Sequence, residues 1–343
     1  MSRIIIRRWA LAILVASIFT IRLVRHGGEF YATHIYPCVS YVLSLMASIC
    51  PWSLDEIIVV GWVAAIIIYP FVAQRKGQKW KHICGMEIEF CGWIFVWFYM
   101  GWACNYYRDS IYERAKTEPA KVDSIQLVRF LYDYTDALNR SYVKAGKINK
   151  QKTEEEIKEL FKDVPDNFGL THPHSFQKPK KLIFNRLYSS VGVSGYMGPF
   201  AAESHINEQT LENEYPFIYA HELSHLLGVS NEGEANYWAY RICTKAKSRE
   251  IRYAGYYRIL PNVARTARTF LPDDEFDEWT KTIDSRILED LKTHDEFWKS
   301  QISPWISDIQ DFLFNLLLKS NRISSGTKNY DTVVEMIVSL ERN

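Results

Sequence analysis

The 343-residue chain sets 41 Lys and Arg against 40 Asp and Glu, a net charge of +1, which argues against nucleic acid as its main partner. Five of its six cysteines fall before residue 105, so the remainder cannot be stapled by disulfides, and no C-x-x-C metal site exists. Long apolar runs crowd the first hundred or so positions while the rest alternates polar and apolar, so the two regions meet two different solvents.

Three apolar segments read as membrane spans, at about 9–24, 57–73 and 88–104, with Trp62, Trp93, Trp97, Trp102 and Tyr106 near their ends. A fourth piece, YPCVSYVLSLMASICPW from Tyr36, could cross or lie at the interface. Charge chooses between these. Arg3, Arg7 and Arg8 precede the first span, and Arg75, Lys76, Lys79 and Lys81 separate the second from the third. The positive-inside rule puts both clusters in the cytoplasm, which needs two crossings between them. The piece at about 36–50 is therefore expected to be an interfacial helix, and the chain leaves the third span on the periplasmic or outer side of a multi-pass bacterial inner-membrane protein. Arg22 and Arg25 land outside on this reading and count against it. The N-terminus has the basic start and apolar core of a signal peptide but no small-residue cleavage site, as expected of an uncleaved anchor.

The expected division is a membrane domain over 1–104 and an extracytoplasmic domain over 105–343. NYYRDSIYERAK forms the amphipathic exit, and SIQLVRFLYDYTDALNRSYVKA has helical spacing. The charge run KINKQKTEEEIKELFKDVP reads as a solvated helix and its loop. Short strands are expected in KKLIFNRLYSS and VGVSGYMGPFAAESHIN. From Pro216 helices dominate, through ARTARTF, DSRILEDLK, DIQDFLFNLLLKS and YDTVVEMIVSLER.

Within the helical part lies HELSHLLGVSNEGEAN, from His221 to Asn236. Positions four apart share a helix face, so His221 and His225 present two imidazoles one turn apart, as a tetrahedral zinc requires. Glu222 points about a quarter turn away, the position of a general base on a metal-bound water. The flanking PFIYAHELSHLLGV is apolar almost throughout, so the helix is expected to be buried, where two histidines and a carboxylate are costly unless something satisfies them. Core histidines bonded to carbonyls are the plain alternative. Gly228 ends this helix and Ser230 or Asn231 can cap a second, which folds back with Glu232 and Glu234 near its start. Either carboxylate could complete a two-His, one-Glu site with an open fourth position.

HELSHLLGVSNEGEANYWAYRIC, with the upstream GYMGPF and the downstream RYAGYYRIL, resembles a family of three-pass membrane proteins common in Bacteroidota. That family is filed as a domain of unknown function and regarded as HExxH zinc metallopeptidases. The resemblance extends through LSLMASICPWSLDEI and NYYRDSIYERA. A more distant similarity joins the E-A-N-x-x-A run to gluzincin peptidases, in which a Glu followed by Ala and Asp or Asn supplies the third ligand. It implies Zn2+ held by His221, His225 and Glu234, with Asn236 as a partner of a ligand histidine. Asn stands where many gluzincins have Asp, and the gap from His225 to Glu234 is shorter than theirs.

SGYMGPFAAESHIN is the candidate substrate-binding edge strand, with Gly195 and Gly198 allowing close approach. Tyr253, Tyr256 and Arg252 are candidate oxyanion donors, and His205 a candidate donor or alternative ligand. The fold expected is membrane-anchored and mainly α, three transmembrane helices followed by a mostly helical zincin-like domain with a small β-sheet. The function expected is a zinc-dependent metallopeptidase with Glu222 as general base, acting on a membrane-associated or periplasmic peptide or protein. The rivals are a non-catalytic zinc-binding membrane-tethered receptor or assembly factor, and a structural helical domain with fortuitous histidines.

Overall fold

The computed structural model describes residues 3–119, 124–306, 308 and 332–341. Three helices are long and apolar enough to cross a membrane: α1 (Arg3–Leu23), α3 (Leu54–Arg75) and α4 (Trp80–Gly101), with α2 (Tyr36–Ala47) between the first two. Each span runs past its apolar run into polar flanks. At one end Glu89 of α4 takes ion pairs from Arg7 and, at 3.2 Å, from Arg8, which makes a carboxylate tolerable in α4. At the other end Ser53 caps α3 by accepting from the Glu56 amide, and Asp55 and Glu56 suit the positive end of the helix dipole.

The ends at Leu23, Leu54 and Gly101 share one face with the remainder of the chain. Arg22 lies 5.5 Å over the Tyr107 ring, so the cation that argued against the orientation is used as a cation–π contact at the exit. Helix α2 also stays on this face. The Tyr36 hydroxyl donates to Leu226 O at 2.8 Å and the Ser44 hydroxyl to Ala202 O at 2.5 Å.

Beyond the spans the fold is mostly helical. In α5 (Ser124–Ser141), Leu127, Leu131, Tyr134 and Leu138 form a buried stripe at helical spacing. The charge run is α6 (Lys150–Lys162), capped by Asn149 and burying Ile157 and Phe161 on its inner face. A two-stranded antiparallel sheet follows, β1 (Gly195–Gly198) with β2 (Glu203–Ile206), pairing Gly195 with Ile206 and Gly198 with Glu203. Then come α7 (Tyr215–Leu226), α8 (Glu232–Thr244), α9 (Arg249–Phe270), α10 (Asp273–Lys281), α11 (Ser285–Gln301) and α12 (Thr332–Leu340). DIQDFLFNLLLKS lies outside the described residues except for Asp308.

One expectation fails. KKLIFNRLYSS is no strand: Lys180 and Lys181 make single bridges, and a short helix follows over Asn185–Ser190. Glu56 is the cause, since its carboxylate accepts from the amides of Ile183 and Phe184 at 2.7 and 3.1 Å and takes the donors a strand ladder would use.

Composition changes near residue 104, but packing does not. A single hydrophobic cluster runs from Ile18, Tyr31, Tyr36 and Trp102 to Tyr219, Trp238, Tyr257 and Ile337. The hairpin turn illustrates this. The Trp97 indole donates to Phe200 O at 3.0 Å, Trp62 meets the Phe200 ring edge-on at 4.7 Å, and Asp55 accepts from the Tyr196 hydroxyl and the Phe200 and Ala201 amides.

Candidate metal centre

Helix α7 starts with Pro216 in its first turn and is buried on nearly every position. It stops because Gly228 takes a φ of +100°, open to glycine without strain, and its last carbonyls are used at once. Trp102 Nε1 donates to His225 O at 3.1 Å, the Tyr36 hydroxyl to Leu226 O, the Thr171 amide to Leu227 O at 3.1 Å, and Arg108 Nη1 to Gly228 O at 2.9 Å. Asn231 then caps α8 by accepting from the Glu234 amide at 2.9 Å.

The reversal brings three ligand-type atoms together. His221 Nε2 and His225 Nε2 lie 3.1 Å apart, and Glu232 Oε2 lies 3.2 and 3.5 Å from them. Both rings are oriented from behind: His225 Nδ1 donates to Val229 O at 2.8 Å, and His221 Nδ1 lies 3.0 Å from Asn236 Oδ1. With Nδ1 carrying the proton, each neutral imidazole directs its Nε2 lone pair at the other and at a carboxylate. Three lone-pair donors converging in a mostly buried place call for a cation, a proton or a metal ion. Their type, number and separation fit a divalent ion of the zinc class, and no other His, Cys, Asp and Glu group among the described residues converges in this way.

Glu234, the third ligand implied by resemblance, is not brought to the histidines. Two residues along a helix is about 200°, so Glu234 faces away from Glu232. Its carboxylate accepts from Arg114 at 2.5 Å and from Trp238 Nε1 at 3.0 Å. A signal for Glu232 was present in the spacing: Glu232 and Asn236 are four apart and share a face, so the carboxylate and the amide that contact the histidine pair come from one side of α8.

Glu222 is 5 % exposed and lies against β1, where a side-chain carbon on Gly195 would come within 2.7 Å of its Oε1. Gly198 lies against Asp55 in the same way. Among the described residues β1 pairs only with β2, which is bridged on its far side by Lys180 at His205, so β1 is the edge beside Glu222. The remaining candidates are elsewhere or already satisfied. The Tyr253 hydroxyl donates to Asp290 at 2.6 Å, Tyr256 packs edge-on against Tyr134 and Tyr240, and Arg252 donates to the carbonyls of Ala246 and Lys247. His205 is fully buried, with Nε2 3.2 Å from Glu203 and Nδ1 3.1 Å from Tyr196 O. Sequence reasoning missed Trp102 and Tyr106, which the membrane exit carries to the site; Tyr106 meets Trp102 edge-on at 5.1 Å, and burial together with the Glu232 charge raises its phenol pKa.

Burial pulls the His225 pKa down, but Glu232, Glu222 and the Val229 carbonyl outweigh it and push the value up to about 9. Burial opposes ionisation of Glu232 too, yet the two imidazoles hold it well below the usual carboxylate range. Glu222 is raised by burial, offset in part by His221 and His225. A raised His225 contributes stability that is complete below its ordinary 6.5 and lost as pH rises through about 9. The depressed Glu232 contributes above its ordinary 4.5 and loses that as pH falls. Chelator-treated protein is therefore expected to lose up to about 3 kcal/mol between pH 6 and 10 in unfolding experiments. His225→Ala should abolish that slope; equal stability across the range would count against the pair.

The fold and this cluster define a mostly helical membrane protein with a His/His/Glu centre where its spans meet the rest of the chain. The family described as "Protein of unknown function (DUF3810)" matches residues 31–338, and the chain belongs to it. No curated protein and no solved structure matches.

Proposed function

We propose that the protein is a membrane-anchored, zinc-dependent metallopeptidase with a zincin-like extramembrane region, in which His221, His225 and Glu232 hold the ion and Glu222 is the general base. The observation that carries this is the convergence of His221 Nε2, His225 Nε2 and Glu232 Oε2 beside the buried Glu222. A zinc ion bound there would polarise the scissile carbonyl and acidify a water. Glu222, with its proton affinity raised by burial, takes the proton of the attacking water as its oxygen bonds to the carbonyl carbon. It then delivers that proton to the amine nitrogen as the C–N bond breaks. The free edge of β1 would align an extended peptide past Glu222 by main-chain hydrogen bonds. Because Trp102, one residue past α4, touches the motif helix, the substrates that reach the site are those held near the bilayer. The basic clusters at the far ends of the spans support a periplasmic or outer location for this region by the positive-inside rule.

The test is metal analysis of the full chain in detergent, alongside His221→Ala and Glu222→Gln. One zinc per chain is expected, lost in His221→Ala, while Glu222→Gln keeps the metal and loses cleavage of a peptide library. No zinc after metal-supplemented purification would sink the reading. Zinc without cleavage by the parent protein would favour a zinc-holding receptor or assembly factor.

A further inference from the structure

Outside the spans and α2, whose Tyr41, Val42, Leu45 and Met46 form an exposed apolar stripe expected of an interfacial helix, large exposed apolar side chains are mostly scattered singly, as on any protein surface. One group is different. Ile183, Phe184 and Leu187 are 47, 44 and 55 % exposed, and Lys181 and Arg186 among them are exposed cations. The backbone fixes where this group sits. The Ser53 amide donates to Lys181 O at 3.1 Å, and the amides of Ile183 and Phe184 donate to Glu56, in the first turn of α3. Ile57, 45 % exposed, follows Glu56 at a rise of about 1.5 Å and begins the lipid-facing run of that span. Trp52 and Ile49, 59 and 85 % exposed, continue the apolar surface on the other side of Lys181.

We infer that the segment 181–187 is a second membrane contact: it dips Ile183, Phe184 and Leu187 into the same leaflet that α3 enters, and Lys181 and Arg186 meet lipid phosphates. Its occupant is the bilayer, because the surface is continuous with the lipid-facing side of α3 and its backbone is tied to the helix's first turn. Apolar side chains interspersed with cations at that depth are the composition of an interfacial anchor. The segment thereby holds the extramembrane region against the bilayer, independently of what the metal centre does.

The experiment uses the full chain in nanodiscs of phosphatidylcholine and phosphatidylglycerol, with Cys38, Cys50, Cys84 and Cys91 replaced by Ser. A bimane label is placed at Phe184→Cys or Leu187→Cys, with Ile57→Cys as the lipid reference and Lys281→Cys, in the acidic α10, as the aqueous one. Labels at 184 and 187 are expected to lose emission to doxyl-labelled lipid as the label at 57 does, and to resist iodide. Quenching by iodide as at 281, with none by lipid, overturns the proposal. Shielding from both quenchers would assign the surface to a second copy of the chain and overturn it equally.

Discussion

Glu232→Ala is expected to leave the chain folded and abolish the proposed metal binding, while Glu234→Ala is expected to destabilise the fold by about 3–5 kcal/mol. The two glutamates are neighbours in sequence and opposites in environment. Glu232 lies on the imidazole pair. Glu234 neutralises Arg114, whose side chain is 4 % exposed and also donates to Phe168 O at 2.5 Å. Without Glu234 a guanidinium is left in the interior with one partner removed, which costs more than the intact pair contributes. Glu29 lies 4.0 Å from Arg114 and is itself held by Arg108, so it can relieve only part of that charge. Thermal unfolding and metal content, measured on both variants in detergent, separate the roles. A stable Glu234→Ala chain that had lost its zinc would return the third ligand to Glu234. Arg114→Ala should destabilise similarly, and the double variant by less than the sum of the singles.

The second large effect is expected at Asp55. Asp55→Ala should cost roughly 3 kcal/mol or more, because the Tyr196 hydroxyl and the Phe200 and Ala201 amides would lose a common acceptor in a buried place. The loss is expected to open the hairpin turn at 198–202 to proteolysis. Activity should fall with it, since the same hairpin carries Gly195 against Glu222. Asp55→Asn keeps one oxygen for the amides and should fall between. A parent-like melting temperature and unchanged protease resistance in Asp55→Ala would refute this coupling between α3 and the sheet.

Local periodicity made the spans, the buried motif helix and the glycine-bearing hairpin legible. Each is written in neighbouring residues whose spacing sets which side is apolar. The partner of Glu234 was not legible, because Arg114 stands 120 residues away and carries no periodic relation to it. For the same reason nothing in KKLIFNRLYSS announced that Glu56 would take its amides. The carboxylate that lies on the histidine pair is a different case. The four-residue step from Glu232 to Asn236 was in view, but the E-A-N resemblance pointed two residues further on, to the opposite side of the helix.

The four carbonyls that end the motif helix have a consequence for timing. Those of His225 and Leu226 are closed by Trp102 and Tyr36, which belong to the membrane-entering part of the chain. A fragment starting near residue 105 would present these carbonyls bare beside the Val229 loop that steers His225. Two of the carbonyls that close the motif helix thus find their donors only when the membrane-entering segment packs against it, so the end of that helix and the loop after it are finished by the spans and not by the extramembrane region alone.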